Sequence, residues 1–376
     1  MTNHAVLSAS ASHRWLNCPP SVRLTERIPD NGSIYAAEGS EAHELCEFKL
    51  RQLLGMEAHN PLDTPIGLQY YDGTMEDAAT GYAAFVLELL EEIRKTCSDP
   101  IVMVEQKLDY SRWVKDGYGT GDAVIVADGT LHVVDFKYGT GVPVSAECNS
   151  QMRLYALGAL DMFGELYDID TVVTTIYQPR LASISTDMIS KTDLLDWAEN
   201  TLRPLADQAY KGEGDLNAGS WCRFCKLRNT CRKRAEANLA MAQHDFKLPP
   251  TLSDEEIAMI LDKLDDLISW AGDVKEYALN AALHGTRFHG WKLVEGRSNR
   301  RYTDETAVAQ IVSDTGHDPY EHKLLGITAM EKLLGKKQFA TLLSDLVERP
   351  QGKPVLVPTS DKRPEMTNAK NDFANN

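Results

Sequence analysis

Residues 121–137 read Gly-Asp-Ala-Val-Ile-Val-Ala-Asp-Gly-Thr-Leu-His-Val-Val-Asp-Phe-Lys, and no other stretch limits the fold so tightly. Two β-branched runs, 121–128 and 130–137, meet at Asp128-Gly129, a dipeptide that favours a tight hairpin. Side chains alternate along a strand, so Asp135 and Lys137 share a face and Phe136 takes the other. The hairpin carries Asp135, near the end of its strand, back toward Asp122, near the start of the partner strand. Two carboxylates and an ammonium are therefore expected to converge beside one sheet edge.

The flanking periodicity predicts what surrounds that hairpin. Residues 101–108 read as a strand, as do 171–179 and the stretch to Ile189, with a helix over 148–163 between them. Upstream, residues 37–54 place Ala42, Leu45, Cys46, Leu50, Leu53 and Leu54 at helical spacing, with Gly55 as the stop. A second helix covers about 75–96, with Ala83, Val86, Leu87, Leu90 and Ile93 on one side. A short helix ending at Cys18-Pro19-Pro20 takes Ser10 or Ser12 as its cap. Another helix follows near 191–210. This order predicts an α/β fold built on a mixed central sheet flanked by helices.

The C-terminal region reads differently. A helix runs to about 243, and Ser253 with Glu256 forms a capping box that starts a long helix to about 284. Residues 288–302 suggest a small hairpin, short helices follow, and 350–376 are rich in Pro, Lys and Asn. The expected division is 1–245 for the α/β core, 246–349 for a mainly helical accessory region, and 350–376 for a polar tail. A length of 376 residues suits one large domain with such an addition.

A net charge of −16 excludes a generic basic coat that binds nucleic acid by bulk electrostatics. It is compatible with an acidic metal site. No apolar run reaches the ~20 residues of a membrane span. The N-terminus carries no basic stretch followed by an apolar segment, so a cytoplasmic protein without membrane contact is expected. No phosphate-binding Gly-rich loop ending in Lys-Ser or Lys-Thr occurs, so ATP is not an expected ligand.

Two neighbouring carboxylates repel unless a cation lies between them. Hard oxygen donors suit Mg2+ or Mn2+, which polarise a phosphodiester and acidify water. Lys137 can stabilise charge developing on phosphate. Gln151 and Tyr155 are four apart on the following helix and share a face. His43, on a helix beside Glu38 and Glu41, offers a nitrogen ligand. Each feature has a plainer reading. An Asp and a Lys at strand ends also make a solvated ion pair of small value. His43 can be a half-buried helix residue, and Gln151 and Tyr155 polar residues at a core edge.

Taken together, residues 7–235 resemble the PD-(D/E)xK nuclease superfamily in its RecB-like branch, which includes RecB and AddB nuclease domains and CRISPR-associated exonucleases. The resemblance rests on Ser10, Ser12, Cys18 and Pro19, the helical His43, Gly121-Asp122, Asp135-Phe136-Lys137-Tyr-Gly-Thr-Gly, and Gln151-x-x-x-Tyr155. It departs from the family name at Gly121, where the proline would stand, and has Asp135 where Glu is the alternative. The arrangement also looks like phage-encoded RecB-like nucleases with a C-terminal extension. The resemblance implies a restriction-endonuclease-like core, with His43, Asp122 and Asp135 as metal ligands and Lys137 as the catalytic lysine. Gln151 and Tyr155 would support the site or the DNA, and Glu105 matches more weakly as a further acidic ligand. The implied activity is a Mg2+- or Mn2+-dependent deoxyribonuclease, an exonuclease by expectation. Its partners would be single-stranded DNA or DNA with free ends, and phage recombination or replication proteins.

The chain has seven cysteines, an odd number that argues against a disulfide framework. Cys222-x2-Cys225-x5-Cys231 is a compact soft-ligand cluster suited to zinc or iron–sulfur. Three local ligands need a fourth, and His244 is within reach along the chain. The AddB-like resemblance instead implies Cys18, with a [4Fe–4S] cluster stapling the two ends of the nuclease domain. Zinc sites more often pair one C-x2-C with another, and none is present. Cys46, Cys97 and Cys148 are expected to be ordinary buried residues. Arg223, Arg228, Arg232, Lys233 and Arg234 interleave with the cluster and are expected to meet the DNA backbone. Two rivals remain at this stage: a non-catalytic iron–sulfur DNA-binding protein, and an iron–sulfur DNA glycosylase, for which an all-helical fold would be expected.

Overall fold

The computed structural model describes residues 5–29, 32–64, 66–242, 253–294, 302–320 and 324–347. Contacts divide the chain into two compact units, Met1–Asn280 and Ala281–Asn376. No helix among the described residues is long and apolar enough to cross a membrane.

The first unit is mixed α/β. Its N-terminal helices are α1 (Ser12–Asn17), α2 (Ser21–Thr25), α3 (Ile34–Leu53) and α4 (Gly73–Ile93). The strands β1 (Ile101–Asp109), β2 (Tyr118–Ala127) and β3 (Gly129–Phe136) follow in succession. Helix α5 (Ser150–Phe163) then leads to β4 (Ile169–Gln178) and β5 (Ser183–Ser190). The sheet order is β1-β2-β3-β4-β5. All neighbours are antiparallel except β3 and β4, which run parallel across the α5 crossover. Gly129, with φ of +74°, makes the turn between β2 and β3 at the expected dipeptide.

Strand β2 is covered on both faces, which explains its unbroken apolar run. Ala123, Ile125 and Ala127 pack with Leu45 and Leu50 of α3 and with Tyr82, Val86 and Leu90 of α4. Val124 and Val126 pack on the other side with Leu154, Leu157 and Trp15. On α3 the buried positions are Ala42, Leu45, Cys46 and Leu50, while Leu53 is exposed, and the chain turns at Gly55 with φ of +68°. The expected serine cap of the first helix is not formed. The Ser12 hydroxyl is buried against Ser150 Oγ at 2.6 Å, tying α1 to α5, and Ser10 meets only Ser8.

The helix expected over 191–210 is interrupted. Helix α6 (Lys191–Trp197) passes through a wide turn at Ala198–Leu202 into α7 (Arg203–Lys211), whose second residue is Pro204. Proline lacks the N–H that a continuous helix would use there. Helix α8 (Arg232–Ala242) follows the cysteine segment, and α9 (Asp254–Leu283) opens with the capping box. Glu256 N donates to Ser253 Oγ at 3.3 Å and Ser253 N donates to Glu256 Oε2 at 2.8 Å.

Beyond α9, residues 286–294 form no strand, and 295–301 lie outside the described residues, as does the tail 350–376. The hairpin expected over 288–302 is thus not found in its described part. The second unit contains the helices α10 (Glu305–Asp314), α11 (Ile327–Leu334) and α12 (Lys336–Leu343).

Candidate functional site

The acidic cluster sits where β2 and β3 part. Their ladder ends at Ala123–Val134, and β3 continues beside β4 alone through Asp135–Ile176 and Phe136–Tyr177. The Asp122 carboxylate fills the opening, its Oδ2 accepting the Phe136 N–H at 2.6 Å. On β1, pairing runs Val104–Ala123 and Gln106–Gly121, with Glu105 between them. Glu105 therefore lies level with Asp122, and the β2–β3 register carries that level on to Asp135. Glu105 has φ of +52°, a left-handed conformation uncommon for a residue with a side chain.

Helix α3 brings the imidazole. His43 follows buried Ala42 and stands at the margin of the core, its Nδ1 3.4 Å from Asp122 Oδ1 and its ring edge-on to Phe136. One ligand atom from each of His43, Glu105 and Asp122 lies within 4.8 Å of the other two. This is the one such group of three among the described His, Cys, Asp and Glu residues.

Asp135 is not in that trio. It is 2% exposed, with Gln151 Nε2 donating to its Oδ1 at 3.1 Å and to Tyr155 Oη at 3.2 Å. Lys137 Nζ stands 2.8 Å from Asp135 Oδ2. Asp135 Oδ2 is buried, with the Lys137 ammonium as its close counter-charge. Glu38 and Glu41 turn elsewhere: Glu38 pairs with Arg180 at 2.8 Å, and Glu41 accepts the N–H groups of Gln69 and Tyr70.

The charge states follow from this crowding. Burial, then the neighbouring Asp122, pushes Glu105 up to about 8. Burial pulls the His43 imidazole down, but the charge and hydrogen bond of Asp122 outweigh it and carry it up to about 9. Asp122 is held low despite burial, chiefly by His43. Asp135 is raised by burial and by Asp122, against the pull of Lys137. Lys137 is raised despite burial because both aspartates face it. A bound cation would take the place of the protons on Glu105 and His43. The two carboxylates of Glu105 and Asp122 and the His43 imidazole form a donor set that would fit a hard divalent cation such as Mg2+ or Mn2+.

Tyr82 belongs to this neighbourhood and was not singled out from the sequence. It is fully buried on α4, its hydroxyl has no hydrogen-bond partner, and its ionisation is suppressed by burial and then by Asp122 and Cys46. In the sequence it occupies the apolar stripe of α4, where a tyrosine reads as core.

Glu105 offers a direct check on the site. Glycine adopts positive φ without a steric penalty, so Glu105→Gly should stabilise the metal-free fold by about 1 kcal/mol. It should also weaken Mn2+ uptake at least about tenfold. Thermal melts and Mn2+ titration read the two effects, and unchanged uptake would remove Glu105 from the ligand set.

A second constellation lies across the first unit. Cys18, Cys222, Cys225 and Cys231 wall one cavity of about 190 Å³, with Arg14 and Trp221. All seven cysteines are free of disulfides. The cavity thus brings Cys18, after α1, beside the segment that precedes α8. Cys222 and Cys225 feel the charge of Cys231, and Cys225 that of Cys18, so the four thiols are electrostatic neighbours. His244 lies outside the described residues. Of the remaining cysteines, Cys46 and Cys97 are buried as expected, but Cys148 is exposed, with φ of +50° ahead of α5.

The basic segment is only partly at the surface. Arg223, Arg232 and Lys233 are exposed. Arg234 is 4% exposed and paired with Asp273 of α9, which also holds Arg228 at 3.2 Å. Both guanidinium groups pair with Asp273 within the chain, the one at Arg234 buried and the one at Arg228 partly exposed.

A family model described as "Protein of unknown function (DUF2800)" matches residues 4–364, and the chain belongs to that family. Among solved structures, that of SSO0001 is similar at 14% identity and a TM-score of 0.24. The match covers 59% of this chain and 96% of that one, and is too loose to carry an argument.

Proposed function

We propose that this DUF2800 protein is a metal-dependent deoxyribonuclease of the RecB-like PD-(D/E)xK kind, acting on DNA ends, with a [4Fe–4S] cluster held by Cys18, Cys222, Cys225 and Cys231. The observation that carries the reading is the meeting of His43, Glu105 and Asp122 within 4.8 Å, beside an Asp135–Lys137 contact of 2.8 Å. Packing these charges together is costly to the fold, and such crowding is concentrated at functional sites. The element order, with antiparallel β1-β2-β3 followed by α5 and a parallel β4, agrees with the restriction-endonuclease-like core expected from the sequence.

A divalent cation in this site would supply Lewis-acid polarisation of a phosphodiester and a more acidic water. The chain's own groups do the rest. The Phe136 N–H and His43 fix Asp122. Gln151, itself tied to Tyr155, fixes Asp135. Asp135 in turn holds the Lys137 ammonium, which faces the charge that develops on phosphate.

For the cysteines, the shared cavity that all four line supports a bound group there, and the C-x2-C-x5-C spacing with a remote Cys18 favours a cluster over a single zinc ion. Exposed Arg223, Arg232 and Lys233 beside it supply local positive charge for a DNA backbone. Mn2+ titration followed by electron paramagnetic resonance tests the metal reading. Uptake at one or two sites, lost in Asp122→Asn, is expected. No uptake, or uptake that survives that change, would overturn it.

A further inference from the structure

We propose that Arg180 grips a backbone phosphate of the DNA strand entering the site, and that Glu38 occupies its guanidinium when DNA is absent. This deepens the nuclease reading above and rests on it. DNA must approach a site holding Glu105 and Asp122, with Asp135 beside Lys137, on a chain of net charge −16. Lys137 serves the reacting phosphate beside Asp135, so a cation at the rim is needed for the rest of the strand.

The topology places Arg180 there. Strands β3 and β4 run parallel and end at the same edge of the sheet, so Lys137-Tyr138 leaves beside Gln178-Pro179-Arg180. The Lys137 N–H donates to Tyr177 O at 2.9 Å, which locks the two exits together. Gln178, 1% exposed, donates to Gly139 O and Val142 O and accepts from the Val144 N–H. Its amide thereby fixes the loop that follows the lysine. Arg180 emerges from a short turn, Pro179–Leu181, closed by Ala182 with φ of +48°.

The guanidinium carbon lies 4.6 Å from the centre of the Tyr138 ring, next in sequence to Lys137. The ring orients the planar group and leaves its fork free to take an oxyanion. Glu38 fills that role at 2.8 Å, from the same helix as His43. Both side chains are about one-quarter exposed: 27% for Arg180 and 23% for Glu38. Arg180 Nη1 donates to one carboxylate oxygen, Glu38 Oε1, and a guanidinium that donates to a carboxylate can donate to a phosphate in its place. DNA binding then exchanges one anion for another without burying an unpaired charge.

The test is anisotropy of a fluorescein-labelled oligonucleotide with the full-length protein in Ca2+, at several salt concentrations. Arg180→Gln should weaken binding about tenfold and reduce the salt slope by about one. Arg180→Lys should restore the slope and part of the affinity. Glu38→Gln, which frees the guanidinium, should tighten binding severalfold. Opposite signs for these two partners are not expected of a purely structural ion pair, where both changes would act alike. Unchanged or equally weakened binding in both variants, with parent protein that binds DNA, overturns the clamp alone. Parent protein that binds no DNA sinks the nuclease reading with it.

Discussion

Asp122→Ala, Asp135→Ala and Lys137→Ala are each expected to lower DNA cleavage by about a thousandfold or more, the scale seen when a preorganised charge-stabilising group is removed. The three act through different contacts. Asp122 supplies a ligand oxygen and also accepts the Phe136 N–H where the β2–β3 ladder ends, so its alanine variant should lose some stability as well. Asp122→Asn keeps that acceptor and separates the two roles: it should fold like the parent and not cut. Lys137→Ala leaves Asp135 buried without its counter-charge, which favours the protonated acid and removes the donor for phosphate. Gln151→Ala should cost less, because it only orients Asp135. Cleavage at the parent rate by all three alanine variants would show that the carboxylate–lysine group is a structural ion pair.

Cys18→Ser should be the most destabilising single change in the chain. Cys18 and Cys222 are about 200 residues apart. A cluster that joins them removes loop-closure entropy from the unfolded chain, worth about 5 kcal/mol on the cross-link scale. The binding energy of the group then becomes folding energy. Protein purified without oxygen should be brown, with broad absorbance near about 400 nm from thiolate-bound iron. Cys18→Ser and Cys225→Ser should lose the colour and unfold at markedly lower temperature. Exposed Cys148, which lies apart from the cavity, should tolerate Ser without loss of colour. Colourless anaerobic protein with stoichiometric zinc would contradict the iron–sulfur assignment. A brown Cys18→Ser protein with full iron content would move the fourth ligand elsewhere, with His244 first to test.

The hairpin and its carboxylates were legible because strand alternation and a turn dipeptide are local rules. Ala123 to Ala127 reads as one apolar run because two helical layers cover β2, and the sequence carries that fact directly. Glu105 was only weakly visible, since nothing in Val-Glu-Gln announces a left-handed residue inside a strand. Its role depends on the register across three strands, which no single segment encodes. The pairing of Arg228 and Arg234 was invisible for a similar reason. A basic run looks like a surface, and only the fold brings Asp273, about 40 residues on, to pair with them. Tyr82 and Arg180 were hidden in the same way. One lies in an apolar stripe and the other in a turn, and each gains its meaning from a neighbour distant in sequence.

Hydrolysis of DNA at the fork between β2 and β3 is tested by incubating anaerobically purified full-length protein with end-labelled single- and double-stranded DNA in Mg2+, in Mn2+ and in EDTA. Metal-dependent release of short labelled products is expected from at least one of the two substrates, with intact DNA in EDTA. Intact DNA in every condition, from protein with its cysteine site filled and Mn2+ bound, would contradict it.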